Sequence, residues 1–427
     1  MAMTPNTGSD KVPAASSGKF AIFKLRDFRY YWVGTIFSNV GEHIENVIRN
    51  WLIWELTHSV FWLMVMVFMH WIPFALLSLP AGSISERVNR QRLIIWTEVG
   101  QFIAALGMFA TTYLGVMDPY WMSGLLILHS VSGALSNPCR QLFLHDMVGR
   151  EHLLSGIALT SSLRFATQSV GKPIGGVILL TLGASWGFMA NALAYLPIML
   201  ALLTVIRVAQ NEAPRVRRPL EEFKEGVKHI ASKRSMLSTL CVAIAPSVFV
   251  GNGFDPFLVI YADTVFAMGA TGYTYFITAV GVGAIVAVVL LGALGNVEWK
   301  GKMLFGGIFG FCASMALFSL SRSLMLSLIF LFLFGFFQVI HNTAATAMLL
   351  ENVPNQMRGR VMGIFNFGRL GLRVVNGPFF ALLNKLALLG TAGAFATNAI
   401  TLTAAAATVV FLTLTLALLT PGLSKQR

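Results

Sequence analysis

Twelve predominantly apolar stretches, each long enough to cross a bilayer or nearly so, limit this chain to one kind of fold. They lie near residues 30–56, 60–81, 93–115, 119–142, 154–182 and 185–207, then 236–260, 271–295, 303–321, 324–350, 361–385 and 392–419. A helix needs about 20 residues to span hydrocarbon and a barrel strand only about 10, so these stretches read as helices. Hydrocarbon gives backbone N–H and C=O groups no partner, and a helix satisfies them within each stretch. With 56% hydrophobic residues, 11% charged residues and a mean hydropathy of +0.71, a soluble globular chain is excluded. The expectation is an all-α membrane protein of twelve transmembrane helices.

Charge placement gives the orientation. Most of the 31 lysines and arginines fall in the N-terminal tail and in loops on one side; only Arg322 and Lys385 face the other. The positive-inside rule then puts both termini in the cytoplasm. Residues 1–29 are polar and basic without a signal-peptide core, and read as a cytoplasmic tail. The longest polar interval, 208–234, carries Arg215, Arg217 and Arg218 between Pro214 and Pro219, then Leu220, Phe223, Val227 and Ile230 at helical spacing. It reads as a linker with an amphipathic helix on the inner surface. It separates a six-helix bundle at 30–207 from a second at 235–419, which a short cytoplasmic tail at 420–427 follows.

The net charge of +13 is therefore a topology signal, and no nucleic-acid partner is expected. Cys139, Cys241 and Cys312 are scattered over apolar stretches, without the spacing of a disulfide framework or zinc site. No Walker sequence or nucleophile elbow is present, so the expectation is no enzyme and no cofactor, with an ion gradient as the energy source.

Ionised groups in hydrocarbon cost at least a few kcal/mol each and usually face water or one another. In the first stretch Ser38, Asn39, Glu42, Glu45, Asn46 and Arg49 fall on a stripe about 120° wide. The fifth carries Arg164, Gln168 and Lys172 at fourfold spacing, the seventh Asn252 and Asp255, and the eleventh Asn366, Arg369, Arg373 and Asn376. These groups, with His129 and His341, are the candidates for a substrate and ion pathway. Glu45 and Arg49, one turn apart, equally fit a pair that neutralises itself. Glu42, Glu45, Asp255 and His129 are the groups able to gain and lose a coupling proton. The intramembrane bases outnumber the three acids, favouring an anionic or amphipathic organic substrate. Trp51, Trp54, Trp62, Trp71, Tyr273 and Tyr275 could stack on it or sit at the lipid interface. A different reading takes Glu42, His43 and Glu45, with His70, Asp255 and His341 nearby, as ligands for ferrous iron or manganese. Arg49 opposes a bare cation there, and His43 points roughly 100° away from Glu42.

Gly82, Ser83, Ile84, Ser85, Glu86, Arg87, Val88, Asn89, Arg90, Gln91 and Arg92 join the second and third stretches. A carboxylate at a helix end can cap N–H groups and pair with arginines, holding two helices in one conformation and releasing them in another. Through Gly82, Glu86, Arg87 and Arg90 this loop resembles the signature latch between helices 2 and 3 of major facilitator superfamily transporters. Glu86 stands where that family usually has aspartate and Asn89 where it has glycine. Further stretches are similar to one branch, the transmembrane secretion effectors or drug:proton antiporter family 3, which includes enterobactin and macrolide exporters. They are Leu25 to Trp32 with Gly34, Ser38, Asn39 and Gly41; Asn137, Pro138, Arg140 and Gln141; Phe188, Asn191, Ala192 and Tyr195; and Pro354 with Arg358 to Met362.

The resemblance implies two six-helix halves of inverted three-helix repeats around a central cavity, with helices 3, 6, 9 and 12 as outer supports. It also implies proton-coupled export of a small molecule by a monomer in the bacterial cytoplasmic membrane, or in an internal membrane derived from it. His129, four residues before Gly133, stands where many drug antiporters have a functional arginine. Two departures set this chain apart. Lys172 precedes Pro173 where exporters usually have Gly-Pro, and Gly292 to Lys302, the counterpart of the latch, has Asn296 and Val297 in place of the acid and arginine. On these two departures rests a third reading, a non-transporting membrane scaffold or receptor.

Overall fold

The computed structural model describes residues 21–206, 227–228, 230–232, 234–250, 254–294, 299–351, 353, 361, 364–365, 368, 372–390 and 394–419. Most of the expected tails and linker lies outside these residues, as do Asn252, Asn366 and Arg369. Within the linker, 227–228 and 230–232 are helical and Ile230 is buried.

A 3-10 turn, Ala21–Lys24, leads into α1 (Arg26–Thr57), which His58 ends by taking a left-handed conformation and donating its N–H to Trp54. Then follow α2 (Val60–Arg87) and α3 (Arg90–Tyr113). Asn89 starts α3 by accepting the Arg92 N–H at 2.9 Å, one of the donors that a helix start leaves orphaned. Asp118 does the same for α4 (Pro119–Thr181), whose first residue is a proline with no N–H to lose.

The stretches near 119–142 and 154–182, expected as two helices with a loop between them, form one helical run. Its break is a single residue, Gly149, at φ 68° and ψ 178°. Glycine alone adopts that region readily, so the chain turns there without a loop. Next come α5 (Ala184–Leu200), extended by a π turn, and α6 (Arg234–Phe249). The stretch near 236–260 divides into α6 and the short α7 (Asp255–Ile260). The remaining helices are α8 (Gly269–Leu294), α9 (Lys300–Leu320), α10 (Leu324–Glu351), α11 (Asn376–Gly390) and α12 (Ala394–Leu419), with a 3-10 turn at Leu372–Val375 before α11.

Seven helical segments among the described residues are long and apolar enough to cross a membrane. Neither α1 nor α4 is among them. The surface is inverted relative to a soluble protein: Trp96, Val289 and Phe411 are 71%, 65% and 69% exposed, whereas Glu45 and Glu98 are 1% and 0% exposed. A surface so rich in large apolar side chains matches lipid rather than water.

Helices α1–α5 pack among themselves, with α1 against α4 and α5, and α3 against the same two. The later helices do likewise, α10 packing against α8 and α9, and α12 against α6, α9 and α11. Between the two sets run α4 against α8 and α2 against α11. These joining contacts cluster between the middle of the helices and the end that carries His58. There Gly176 meets Thr274 and Ile277, Gly281 meets Ser169 and Pro173, and Gly377 meets Met64 and Phe68.

Candidate functional site

Where the two sets of helices part lies a cavity of about 100 Å³. From α1 it is lined by Asn39, Glu42, His43, Asn46 and Arg49, so the polar stripe read from the sequence faces this space. The second limb of α4 adds Arg164, Gln168 and Lys172, and α2 adds His70 and Trp71. Across from these, Gln338, His341 and Asn342 of α10, Phe311 of α9 and Arg373 complete the wall, with Pro246 and Ser247 of α6. Arg373 places its guanidinium carbon 4.9 Å from the centre of the Trp71 ring, a cation–π contact between the two sets. Among the described residues four of the lining side chains are lysine or arginine, and Glu42 is the lone carboxylate.

The rungs on α4 differ in depth. Arg164 is exposed, Gln168 half-buried and Lys172 buried, so basic and amide groups descend one face from the Asn89 end toward the cavity floor. There the Lys172 ammonium donates to the Asp255 carboxylate at 2.7 Å, across the boundary between the two sets. Beyond it Trp54 donates its indole N–H to Asp263 at 2.9 Å, and Trp51 stacks on Tyr273 at 6.3 Å between centroids. These three contacts join the two sets of helices on that side.

Three expected pathway residues, Glu45, His129 and Asp255, stand behind the wall rather than on it. Glu45 is 1% exposed and is bonded to Arg49, which reaches the cavity in its place. The other carboxylate oxygen of Glu45 accepts from the Asn191 amide at 3.3 Å and lies 3.3 Å from His129 Nε2. His129 Nε2 is also 2.9 Å from the Tyr195 hydroxyl, and its ring stacks on that of His70, which contacts Ser130. The pair that neutralises itself and the cavity stripe are therefore both present: Arg49 lines the cavity and Glu45 lies behind it. Arg49 Nε and His129 Nδ1 are buried without a hydrogen-bond partner among the described residues. Asp255 likewise is not on the cavity wall but holds a residue that is.

The loop between α2 and α3 is described only in part. Arg87 is exposed, and the side chain of Glu86 lies outside the described residues. Arg90 is the buried arginine; it donates to Asp146 on α4 at 2.5 Å, while Cys139 donates to its carbonyl oxygen. A second buried pair, Arg140 with Glu98, ties α4 to α3 one side further on. Two ion pairs thus join α3 to α4 beside this loop. A Cβ added at Gly82 would meet nothing within 4 Å beyond its own stretch of helix.

Sequence reasoning did not assign Gln338 and Asn342 to the wall, named Trp71 only among six aromatics able to stack on a substrate, and did not single out Asp146 as the partner of Arg90. Amides and tryptophan carry no charge to betray them inside an apolar stretch, and Asp146 sits in an apparent loop. Asn191 and Tyr195 did carry a signal: the motif Phe188, Asn191, Ala192 and Tyr195 folds against Glu45. Of the metal-ligand reading, Glu42 and His43 reach the cavity, but Arg49 holds Glu45 away. Among the described residues no group of three or more His, Cys, Asp or Glu is placed to hold a metal ion.

A helical fold with a lipid-type surface and a charged cavity between two packed sets of helices defines a membrane transporter. Solved structures agree at the level of fold. A bacterial homologue of the human lysosomal transporter Spinster, inward-facing and unoccupied, superposes with a TM-score of 0.68 at 14% identity, covering 94% of this chain and 96% of that one. The nucleoside transporter NupG gives 0.69 at 11% identity, covering 92% and 98%. The sequence profile of the transmembrane secretion effectors matches residues 17–420, and the chain belongs to that family of major facilitator transporters. Among curated relatives, the staphyloferrin A transporter of Staphylococcus aureus is 23% identical over 80% of this chain and 85% of its own. The enterobactin exporter EntS of Shigella flexneri is 24% identical over 66% and 67%. The family consists of transporters of the bacterial inner membrane, not enzymes.

Proposed function

We propose that this protein exports a small anionic organic molecule, of the siderophore or drug class, by alternating access driven by protons. The observation that carries this reading is the wall of the cavity: among the described residues Arg49, Arg164, Lys172 and Arg373 converge on one space with Glu42 as the only acid. In a low-dielectric setting such an excess of fixed positive charge favours carboxylate or other anionic groups. Amides at Gln168, Gln338 and Asn342 add uncharged donors, and Trp71 adds an apolar face. The relatives named for staphyloferrin A and enterobactin support a siderophore-like solute.

In this reading twelve helices form two bundles at 30–207 and 235–419, joined by the 208–234 linker, with both termini in the cytoplasm. The positive-inside count supports that orientation. The His58 end is then the outer side and the structure is inward-facing, its cavity reached past Arg164. Glu45 and His129 form the proton site. They share a carboxylate–imidazole contact 3.3 Å long directly behind Arg49, so a proton on Glu45 frees Arg49 for the substrate. Arg90 with Asp146 is the latch between α3 and α4.

The test uses inverted membrane vesicles loaded with a pH-sensitive dye and supplied with radiolabelled staphyloferrin A, ferrous iron or a cationic efflux dye. Uptake of the carboxylate solute that collapses with the proton gradient supports the reading. Iron uptake sensitive to Glu42→Gln would replace it with the metal carrier, and no uptake of any probe would leave a scaffold.

A further inference from the structure

Lys172 occupies two roles at once. Its ammonium lines the cavity, and the same group is bonded to Asp255 at 2.7 Å on the opposite set of helices. Both side chains are largely shielded, at 9% and 14% exposure. Among the described residues the other contact of opposite charges between the sets is His58 with Asp263, at 3.9 Å and near the surface.

We propose that Lys172 is a substrate-binding residue whose release from Asp255 opens the outer side. The proposal rests on the anionic-substrate reading of the cavity. An anion entering past Arg164 and Gln168 follows donors that lead down one face of α4 to the Lys172 ammonium. A carboxylate of the substrate then takes the place of Asp255 as counterion. That exchange leaves the Asp255 carboxylate shielded from water without its partner, an unfavourable state in a low-dielectric interior. Parting of α4 from α8 at the His58 end admits water to Asp255 and removes the penalty. The substrate thereby binds the open form more tightly than the closed one, the condition any ligand must meet to shift a conformational equilibrium. Release outward reverses the exchange: Lys172, left without a counterion, draws Asp255 back and the outer side closes. An uncharged analogue of equal size has no carboxylate to offer Lys172 and leaves the outer side shut.

The experiment uses the full chain in lipid nanodiscs, with Cys139, Cys241 and Cys312 replaced by serine and spin labels attached through Val116→Cys and Ser323→Cys. These sites are exposed and lie at the His58 end of the two sets. Without ligand, Asp255→Asn should add a longer label-to-label distance, and the swap Lys172→Asp with Asp255→Lys should restore the short one. Citrate should lengthen the distance in the parent, trimethyl citrate should not, and Lys172→Met should bind citrate about tenfold more weakly and lose the citrate-induced change. An unaltered distance in Asp255→Asn, with the swap also unaltered, overturns the proposal. Citrate that binds by calorimetry yet leaves the parent distance unchanged overturns it too, while the anionic cavity stands. Citrate that does not bind at all overturns the reading of the cavity and the proposal with it.

Discussion

Close contact between α4 and α8 can be tested by a single methyl group. A Cβ at Gly281 would lie 2.6 Å from the Ser169 carbonyl oxygen and 3.2 Å from Pro173 Cγ, inside ordinary van der Waals contact. The first obstacle is backbone and cannot rotate aside. Overpacking of this kind costs about 1–3 kcal/mol. That cost falls on the conformation in which the helices touch and vanishes where they part. Gly281→Ala should therefore shift the population toward the outward-open form by about five- to 150-fold. The readout is the labelling rate of Ser247→Cys, a cavity residue, by a membrane-impermeant maleimide applied on the His58 side of cysteine-free cells. Gly283→Ala is the control, since its methyl would meet the Phe332 carbonyl within the later set of helices, at α10. It should lower thermal stability in both conformations and leave the labelling rate unchanged. A folded Gly281→Ala protein that labels at the parent rate would refute the view that this contact closes the outer side.

Four more outcomes follow from the same geometry. Arg90→Ala leaves Asp146 buried without its ion-pair partner and should destabilise the protein by about 3–5 kcal/mol, whereas Arg87→Ala at an exposed site should leave thermal unfolding in detergent near the parent value; equal melting shifts would argue against Arg90 as the anchor. Glu45→Gln removes the counterion of Arg49, so citrate binding by calorimetry should tighten while proton movement per substrate falls, and unchanged proton coupling would exclude Glu45. Trp71→Ala removes the ring beneath Arg373, a contact worth about 0.5–2 kcal/mol, and should weaken anion binding by up to about thirtyfold; no change would show that the ring does not orient the guanidinium. Trp54→Phe deletes the bond to Asp263, worth about 1.5–3 kcal/mol as a bond to a charged acceptor, and should raise outward labelling of Ser247→Cys; an unaltered rate would remove this bond from the seal.

Much of the cavity was legible because charge is costly in hydrocarbon. Asn39, Glu42, Asn46, Arg49, Arg164, His341 and Arg373 were marked by polarity alone, and all of them reach the wall. Periodicity could not show which member of a pair faces water. Glu45 and Arg49 lie on one stripe, but Asn191 and His129 draw the acid away from the space its partner enters. The bond between Lys172 and Asp255 spans 83 residues and two sets of helices, a separation no local pattern encodes. The helices themselves were read from apolar length, yet the junction after Val148 was not. Arg150, Glu151 and His152 suggested a loop, whereas one glycine dihedral suffices for the turn.

Gly149 also joins two kinds of machinery on a single element. Three residues before it stands Asp146, tied to Arg90; beyond it come Arg164, Gln168 and Lys172, which face the cavity. In the cycle proposed above, with Arg90 and Asp146 as the latch, α4 serves as a crank, because one glycine separates that bond from the row of bases. Inserting a few flexible residues after Gly149 would leave every contact available and still disconnect the handle from the shaft.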